Sequence, residues 1–406
     1  MLERTLYQRV WKELSAEKSL VLMAGPRQCG KTTLSELVGA SFPNRLYFNW
    51  DIPADKRRLL ENPAFFEALP RVDGSKPLVV LDEIHKYRQW KNYLKGTYDR
   101  FHRDYLFLVT GSGRLDTYQK GGDSLAGRYD LFHLWPLTLA ELGECQAEHE
   151  AFLSDPLAVV QDGLADLKAK WERLAAFSGF PEPYLRGTPS GYRRWSSGYH
   201  ARLIREDIRD MTAIRTVDQV EVLFYLLPSR IGSPLSVTGL SEDLKTAYNT
   251  VAQWLSVFER VYLTFTLKPW TASVVRSIQK EKKLYLLDYA VIDDPAAQFE
   301  NMVAVELMRA VSTWNDLGLG QYGLHFVRDK EKREVDFLVA DRRKPVLLIE
   351  TKLGDETPSP SLVRFQRQLN VPAVQLVRDA ESYRLLQNEG QGILVAPPWR
   401  WLPRLP

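Results

Sequence analysis

Apolar residues along this chain keep two rhythms. Short continuous runs are separated by stretches spaced like one face of a helix. The first third holds five such runs: Leu20 to Ala24, "RLYFNWD" from Arg45, Leu78 to Leu81, "YLFLVTGSGR" from Tyr105 and "YDLFHLWPL" from Tyr129. Runs of this length with helical segments between them predict buried parallel strands, in a sheet covered by helices on both faces. From Gly191 to Met211 the spacing turns helical, with Trp195, Tyr199, Leu203 and Ile208 near one face. A short helix over 239–245 and a longer one over 248–260 come next. The strand-like "VYLTFTLKPW" and "KKLYLLD" follow, with the basic "RSIQKEKK" between them. Helix, turn, helix and then a basic hairpin is the pattern of a winged helix. Last come a helix, "PAAQFENMVAVELMRAV", and two strands, "EVDFLVA" and "PVLLIETK".

The first apolar run ends in "GPRQCGKT", which fits G-x-x-x-x-G-K-[ST] between a strand and a helix former. Gly25, Pro26, Arg27, Gln28, Cys29 and Gly30 form the phosphate loop, and Lys31, Thr32 and Thr33 open the helix. The glycines let the backbone curl so that N–H groups face phosphate oxygens, and the helix N-terminus adds a favourable dipole. Lys31 is expected on the β- and γ-phosphates and Thr32 on Mg²⁺. Cys29 is expected as a small filler of the loop. The run ending in Leu81 supplies Asp82 to hold Mg²⁺ through water and Glu83 as general base for the attacking water. Thr110 and Ser112, at the end of the next strand, are placed to sense a γ-phosphate.

The C-terminal strands carry a second set of charges. Strand residues two apart share a face, so Glu350 and Lys352 project together, and a hairpin brings Asp336 beside them. Two carboxylates and an ammonium suit one Mg²⁺ and one water, the lysine positioning a nucleophile. The preceding helix offers Glu300 and Glu306, about 120° apart at 100° per residue, so only one is expected to enter. In the hairpin region, Lys245, Asn249 and Gln253 are candidates for a nucleic-acid groove, and Arg276, Lys280, Lys282 and Lys283 for phosphates.

Composition narrows the picture only modestly. A chain of 406 residues implies two or three domains. With 45% hydrophobic and 26% charged residues it reads as globular, and no apolar stretch is long enough for a membrane span. The N-terminus reads as a charged amphipathic helix, not a signal peptide. Cys29 and Cys145 are too few for a disulfide framework or a zinc site, which fits a reducing cytoplasm. A net charge of +3 is too small to argue for nucleic acid by itself.

The order of strand, P-loop, acidic strand end and hydroxyl-bearing strand end resembles the AAA+ class of P-loop ATPases. In that class an arginine often completes a neighbouring subunit's site, and ring assembly is common. Arg128 in "LAGRYD" is the candidate, with Arg114 second. Asp336, Glu350 and Lys352, after a helix bearing Glu300, resemble the PD-(D/E)xK nuclease fold, whose metal ligands would be Glu300, Asp336 and Glu350. The ordered set "GPRQCGKTT", "VVLDEIHK", "VTGSGR", "GFPEPY", "LKPW…KLYLLD" and "REVDFLVA…IETK" is similar to a prokaryotic family of AAA+-like ATPases with a C-terminal domain of unknown function. The resemblance implies an α/β ATPase domain over 1–145, a helical lid or linker over 146–225, a winged helix over 226–294 and a nuclease-like α/β domain over 295–406. It implies ATP and Mg²⁺ as ligands. It implies little about biological role, and three readings stay open: an ATPase acting on or with DNA, a nucleotide-gated scaffold that binds a protein and cuts nothing, or a working nuclease whose ATPase is only a switch.

Overall fold

In this computed structural model, residues 2–111, 125–144, 148–208, 217–271, 281–386 and 391–406 are described. The chain divides into two compact units, Met1–Trp135 and Pro136–Pro406.

In the first unit the five apolar runs become β1 (Leu20–Ala24), β2 (Arg45–Asn49), β3 (Leu78–Asp82), β4 (Leu106–Thr110) and β5 (Asp130–His133). They form one parallel sheet in the order β2-β3-β4-β1-β5. Every residue of β1 and β3 is buried, as expected for strands covered on both faces. β4 lies between β1 and β3, so Ala24, Thr110 and Asp82 finish side by side at one edge of the sheet. An aromatic cluster fills one face, with Phe66 in edge contact with Phe101, Tyr105 and Phe107. At about 25 cal/mol per Å² of apolar surface, burying one such ring is worth roughly 3 kcal/mol.

The second unit is built on one eight-stranded sheet, in the order β12-β13-β11-β10-β9-β8-β6-β7. Its strands are β6 (Thr264–Pro269), β7 (Lys283–Leu286), β8 (Tyr322–Arg328), β9 (Glu334–Asp341), β10 (Lys344–Lys352), β11 (Ala373–Val377), β12 (Arg384–Leu386) and β13 (Ile393–Ala396). The hairpin expected to belong to a separate domain is instead the edge of this sheet. β6 is long enough to serve two partners: Thr264–Leu267 pair antiparallel with β7, and Lys268 and Pro269 pair parallel with β8. Ahead of the hairpin stand the helices Val217–Leu226, Val237–Asp243 and Tyr248–Arg260, and Pro234 makes an isolated bridge to Lys283. The 22-residue helix Pro295–Asp316 starts with a proline in its first turn, and Asp294 caps it by accepting from Ala297 N at 2.7 Å.

Trp195, Tyr199, Leu203 and Ile208 are all buried. The helix Pro189–Arg202 continues as a π-helical turn over Leu203–Ile208.

Candidate nucleotide site and a buried acid cluster

The phosphate loop joins β1 to the helix Lys31–Ala40. Gly25 has φ +147°, and a Cβ there would lie 2.2 Å from Leu134 O, so only glycine fits without a backbone shift. Gly30 has φ +98°, and no side chain caps the helix it begins. This is the arrangement that turns first-turn N–H groups toward an anion. Lys31 is buried, and its Nζ donates to Gly25 O at 3.0 Å and Pro26 O at 2.7 Å, folding the ammonium over the loop. Cys29 is wholly buried, its Sγ 3.4 Å from Leu134 O, and burial pushes its thiol up. That suits a filler rather than a reactive thiol. Beneath the loop, the buried Arg4 donates to Cys29 O at 2.8 Å and Trp135 O at 2.7 Å. Nothing in the sequence pattern pointed to this brace.

Asp82 is the centre of the site. Its carboxylate is buried and accepts from Thr32 Oγ1 at 2.9 Å, from Tyr47 OH on β2 and from Thr110 Oγ1 on β4. The Thr32 hydroxyl and an acidic oxygen therefore meet beside the lysine, a donor set that fits a hard, oxygen-seeking cation such as Mg²⁺. Tyr47 was missed in the sequence because β2 alternates exposed and buried residues like any edge strand. Glu83 follows in a left-handed conformation at φ 56°. Its carboxylate is 3.0 Å from Lys86 Nζ and 3.7 Å from His85 Nε2. Ser112 and Arg114 lie outside the described residues. Arg128 pairs with Asp99, Nε to Oδ1 at 2.7 Å. Because Asp130 aligns with Val21 in parallel register, Arg128 sits at the sheet edge opposite the phosphate loop.

In the second unit, β9 and β10 pair antiparallel and bring Asp336 beside Thr351, whose N and Oγ1 donate to Asp336 Oδ2 at 2.9 and 2.7 Å. Lys352 Nζ donates to Glu350 Oε1 at 2.7 Å, while Glu350 Oε2 is buried without a hydrogen-bond partner. Burial, then the Asp336 charge, push the Glu350 carboxyl up against the pull of Lys352. Glu300 faces this region. Burial, then Asp336, raise its carboxyl too, although Lys283 and the Tyr285 hydroxyl oppose the shift. Glu306 points elsewhere: its Oε1 accepts from Leu139 N at 2.5 Å, capping the short helix Leu139–Leu142. Glu300, Asp336, Thr351 and Lys352 line an open cleft of about 280 Å³ together with Gly232 and Ala296.

One expectation is overturned. Lys283, read as a base of the hairpin placed to touch nucleic-acid phosphates, has a fully buried side chain. Its Nζ lies 2.7 Å from Glu334 Oε1, 3.0 Å from Glu300 Oε1 and 3.8 Å from Asp336 Oδ1. The basic composition of its neighbours concealed a strand whose alternate residues turn inward. Tyr285, two residues on, also reaches Glu300 Oε1, at 2.8 Å. Among the described residues, no group of three or more His, Cys, Asp or Glu side chains is arranged to hold a metal ion. Lys282 is half-buried, and Lys245, Asn249 and Gln253 are exposed. Arg276 and Lys280, like Cys145, lie outside the described residues. No described helix is long and apolar enough to cross a membrane.

Comparison with known proteins gives three successive family matches along the chain. Residues 17–143 match the family model described as an AAA domain. Residues 168–294 match a domain of unknown function (DUF8612), and 296–397 match another (DUF4143). The chain is similar to an uncharacterized protein of Mycobacterium tuberculosis, 24% identical across 90% of this chain and 76% of the relative. An uncharacterized protein of Methanocaldococcus jannaschii is 23% identical across 86% and 79% of the two chains. Among solved structures, a Walker-type ATPase of Pyrococcus abyssi aligns with 15% identity and a TM-score of 0.43, covering 72% of this chain and 95% of that one. The AAA-domain match and the geometry of the phosphate loop together make the first unit a P-loop domain of the AAA type.

Proposed function

We propose that this protein is a Mg²⁺-dependent ATPase whose second unit carries the consequence of nucleotide binding to DNA. The observation that carries the reading is the convergence of Thr32 Oγ1 on the buried carboxylate of Asp82, beside the loop that Lys31 folds over. Bound Mg²⁺ would draw charge from the phosphate oxygens; Thr32 and Asp82 would hold it. Lys31 exchanges its carbonyl partners for phosphate oxygens, and the loop amides orient the chain of phosphates. Glu83 accepts a proton from the attacking water once Lys86 releases it. The Thr110 hydroxyl, bonded to Asp82, keeps that carboxylate aimed at the site. Arg128, at the far edge of the sheet, can act only in the site of a second copy.

In the second unit, the three helices, the Pro234 bridge and the β6–β7 hairpin are read as a winged helix, and the sheet with the helix Pro295–Asp316 as a PD-(D/E)xK-like layer. Lys245, Asn249 and Gln253 are the exposed residues that would face DNA. The burial of Lys283 favours a layer that does not cleave, and hence also the second reading, a nucleotide-gated scaffold for a protein partner.

Phosphate release by the wild type, Lys31→Ala and Glu83→Gln, with and without duplex DNA, tests the proposal. Lys31→Ala should lose binding and turnover. Glu83→Gln should bind nucleotide yet hydrolyse it roughly 10²–10⁴-fold more slowly. Equal rates in all three remove both residues from the mechanism, and rates indifferent to DNA favour the protein scaffold.

A further inference from the structure

A carboxylate cluster at the end of a sheet normally needs a cation. Here Glu300 comes from the long helix and Glu334 and Asp336 from β9, and their oxygens converge on the Nζ of Lys283 at 3.0, 2.7 and 3.8 Å. Glu334 is held from its other oxygen by Arg328, at 2.9 Å. The lysine belongs to neither of those elements. It stands on β7, the edge strand, where Pro234 bridges to it and β6 fixes it in register opposite Leu267.

We infer that Lys283 is a built-in cation occupying the position a divalent metal would take in this cluster, and that it closes the C-terminal cleft to metal-dependent phosphodiester chemistry. A divalent ion needs carboxylate oxygens at about 2.0–2.6 Å, which would place it on top of the ammonium, so the two cannot share these ligands. The ammonium is a compact charge with three donors, well suited to oxygens at 2.7–3.0 Å. Lys352 neutralises the remaining acid, Glu350, from the solvent side of the cleft. Each of the three carboxylates proposed as metal ligands thus already has a donor from the chain itself: Glu300 has Lys283 and Tyr285, Asp336 has Thr351, and Oε1 of Glu350 has Lys352. Opening the cleft to a metal requires the β7 edge to withdraw.

Mn²⁺ counted by electron paramagnetic resonance on the full chain, without nucleotide, tests this. No arm contains ATP, so the outcome is independent of whether the first unit hydrolyses it. The wild type and Asp336→Asn should bind equal numbers of Mn²⁺. Lys283→Ala should bind one more, and that ion should vanish when Glu300→Gln is added. Lys283→Ala should melt roughly 10 °C lower without metal and recover part of the loss on Mn²⁺ addition, whereas Lys283→Arg gains no ion. A Mn²⁺ held by the wild type and lost in Asp336→Asn overturns the inference. So does a folded Lys283→Ala that binds no more Mn²⁺ than the wild type. If Lys283→Ala fails to fold, the wild type against Asp336→Asn decides alone: equal counts uphold the lysine as the cation, and a lower count in the variant refutes it.

Discussion

Glu306→Gln should make this protein more stable at pH 8 and leave it nearly unchanged at pH 4. Glu306 lies on the helix Pro295–Asp316, is 3% exposed, and uses Oε1 to cap Leu139 N. Burial pushes its carboxyl up to about 7, against the Leu139 amide and Arg309, which pull it down. In the unfolded chain the group returns to about 4.3. A folded value above the unfolded one means that folding favours the protonated form. The stabilisation is therefore complete below about pH 4.3 and is lost as pH rises through about 7. At about 1.4 kcal/mol per pH unit, the roughly 2.7 units between the two values bring the loss to about 4 kcal/mol by pH 8. Glutamine keeps the capping oxygen and carries no charge. Its NH₂ meets the same partnerless surroundings as Oε2, so it imitates the protonated acid. Glu300 and Glu350 also titrate upward, but they do so in both proteins and drop out of the difference. Urea unfolding of wild type and variant across pH 4 to 8.5 measures the gap. A gap that does not change with pH, or a variant less stable at pH 8, would show that Glu306 is not held as a buried acid.

Gly25→Ala should cost on the order of 3 kcal/mol and abolish nucleotide binding, since the new methyl would meet Leu134 O at 2.2 Å at a φ of +147°; thermal melts with and without MgATP would report both. Asp288→Asn should destabilise the second unit by about 2–3 kcal/mol, because the buried carboxylate accepts from Tyr192 OH at 3.1 Å and from Ser196 Oγ at 3.1 Å; urea unfolding measures it, and a change under 0.5 kcal/mol would rule the network out as a tie. His200, whose ring burial pushes down despite Asp288, is favoured neutral by folding. Its contribution is present above about pH 6.5 and lost as pH falls below that, so His200→Gln should flatten the acid limb of the stability profile.

The first unit was legible because each of its signals is local. A parallel strand buried on both faces is a continuous apolar run, so Leu20–Ala24 marked a strand of the sheet, and Gly25–Lys31 after it marked the candidate phosphate loop at the strand's end. Register was not legible: nothing in "RLYFNWD" says that Tyr47 will reach Asp82 across a neighbouring strand. In the second unit, β9, β10 and the long helix were read from their patterns, and Glu300 was placed ahead of Glu306 by motif. Lys283 was misread because a wing and a sheet edge share one local pattern; only pairing of β6 with β8, some 55 residues along the chain, turns that edge inward. Asp288 went unread as well, since its partners Tyr192 and Ser196 lie about 90 residues upstream.

Titration calorimetry of MgATP into the full-length wild type and Lys31→Ala addresses the phosphate loop most directly. The geometry around Gly25, Lys31, Thr32 and Asp82 predicts one molecule bound per wild-type chain and no measurable heat for the variant. A well-folded wild type that releases no heat at saturating ATP and magnesium, or a Lys31→Ala variant that binds as well as the wild type, would contradict it.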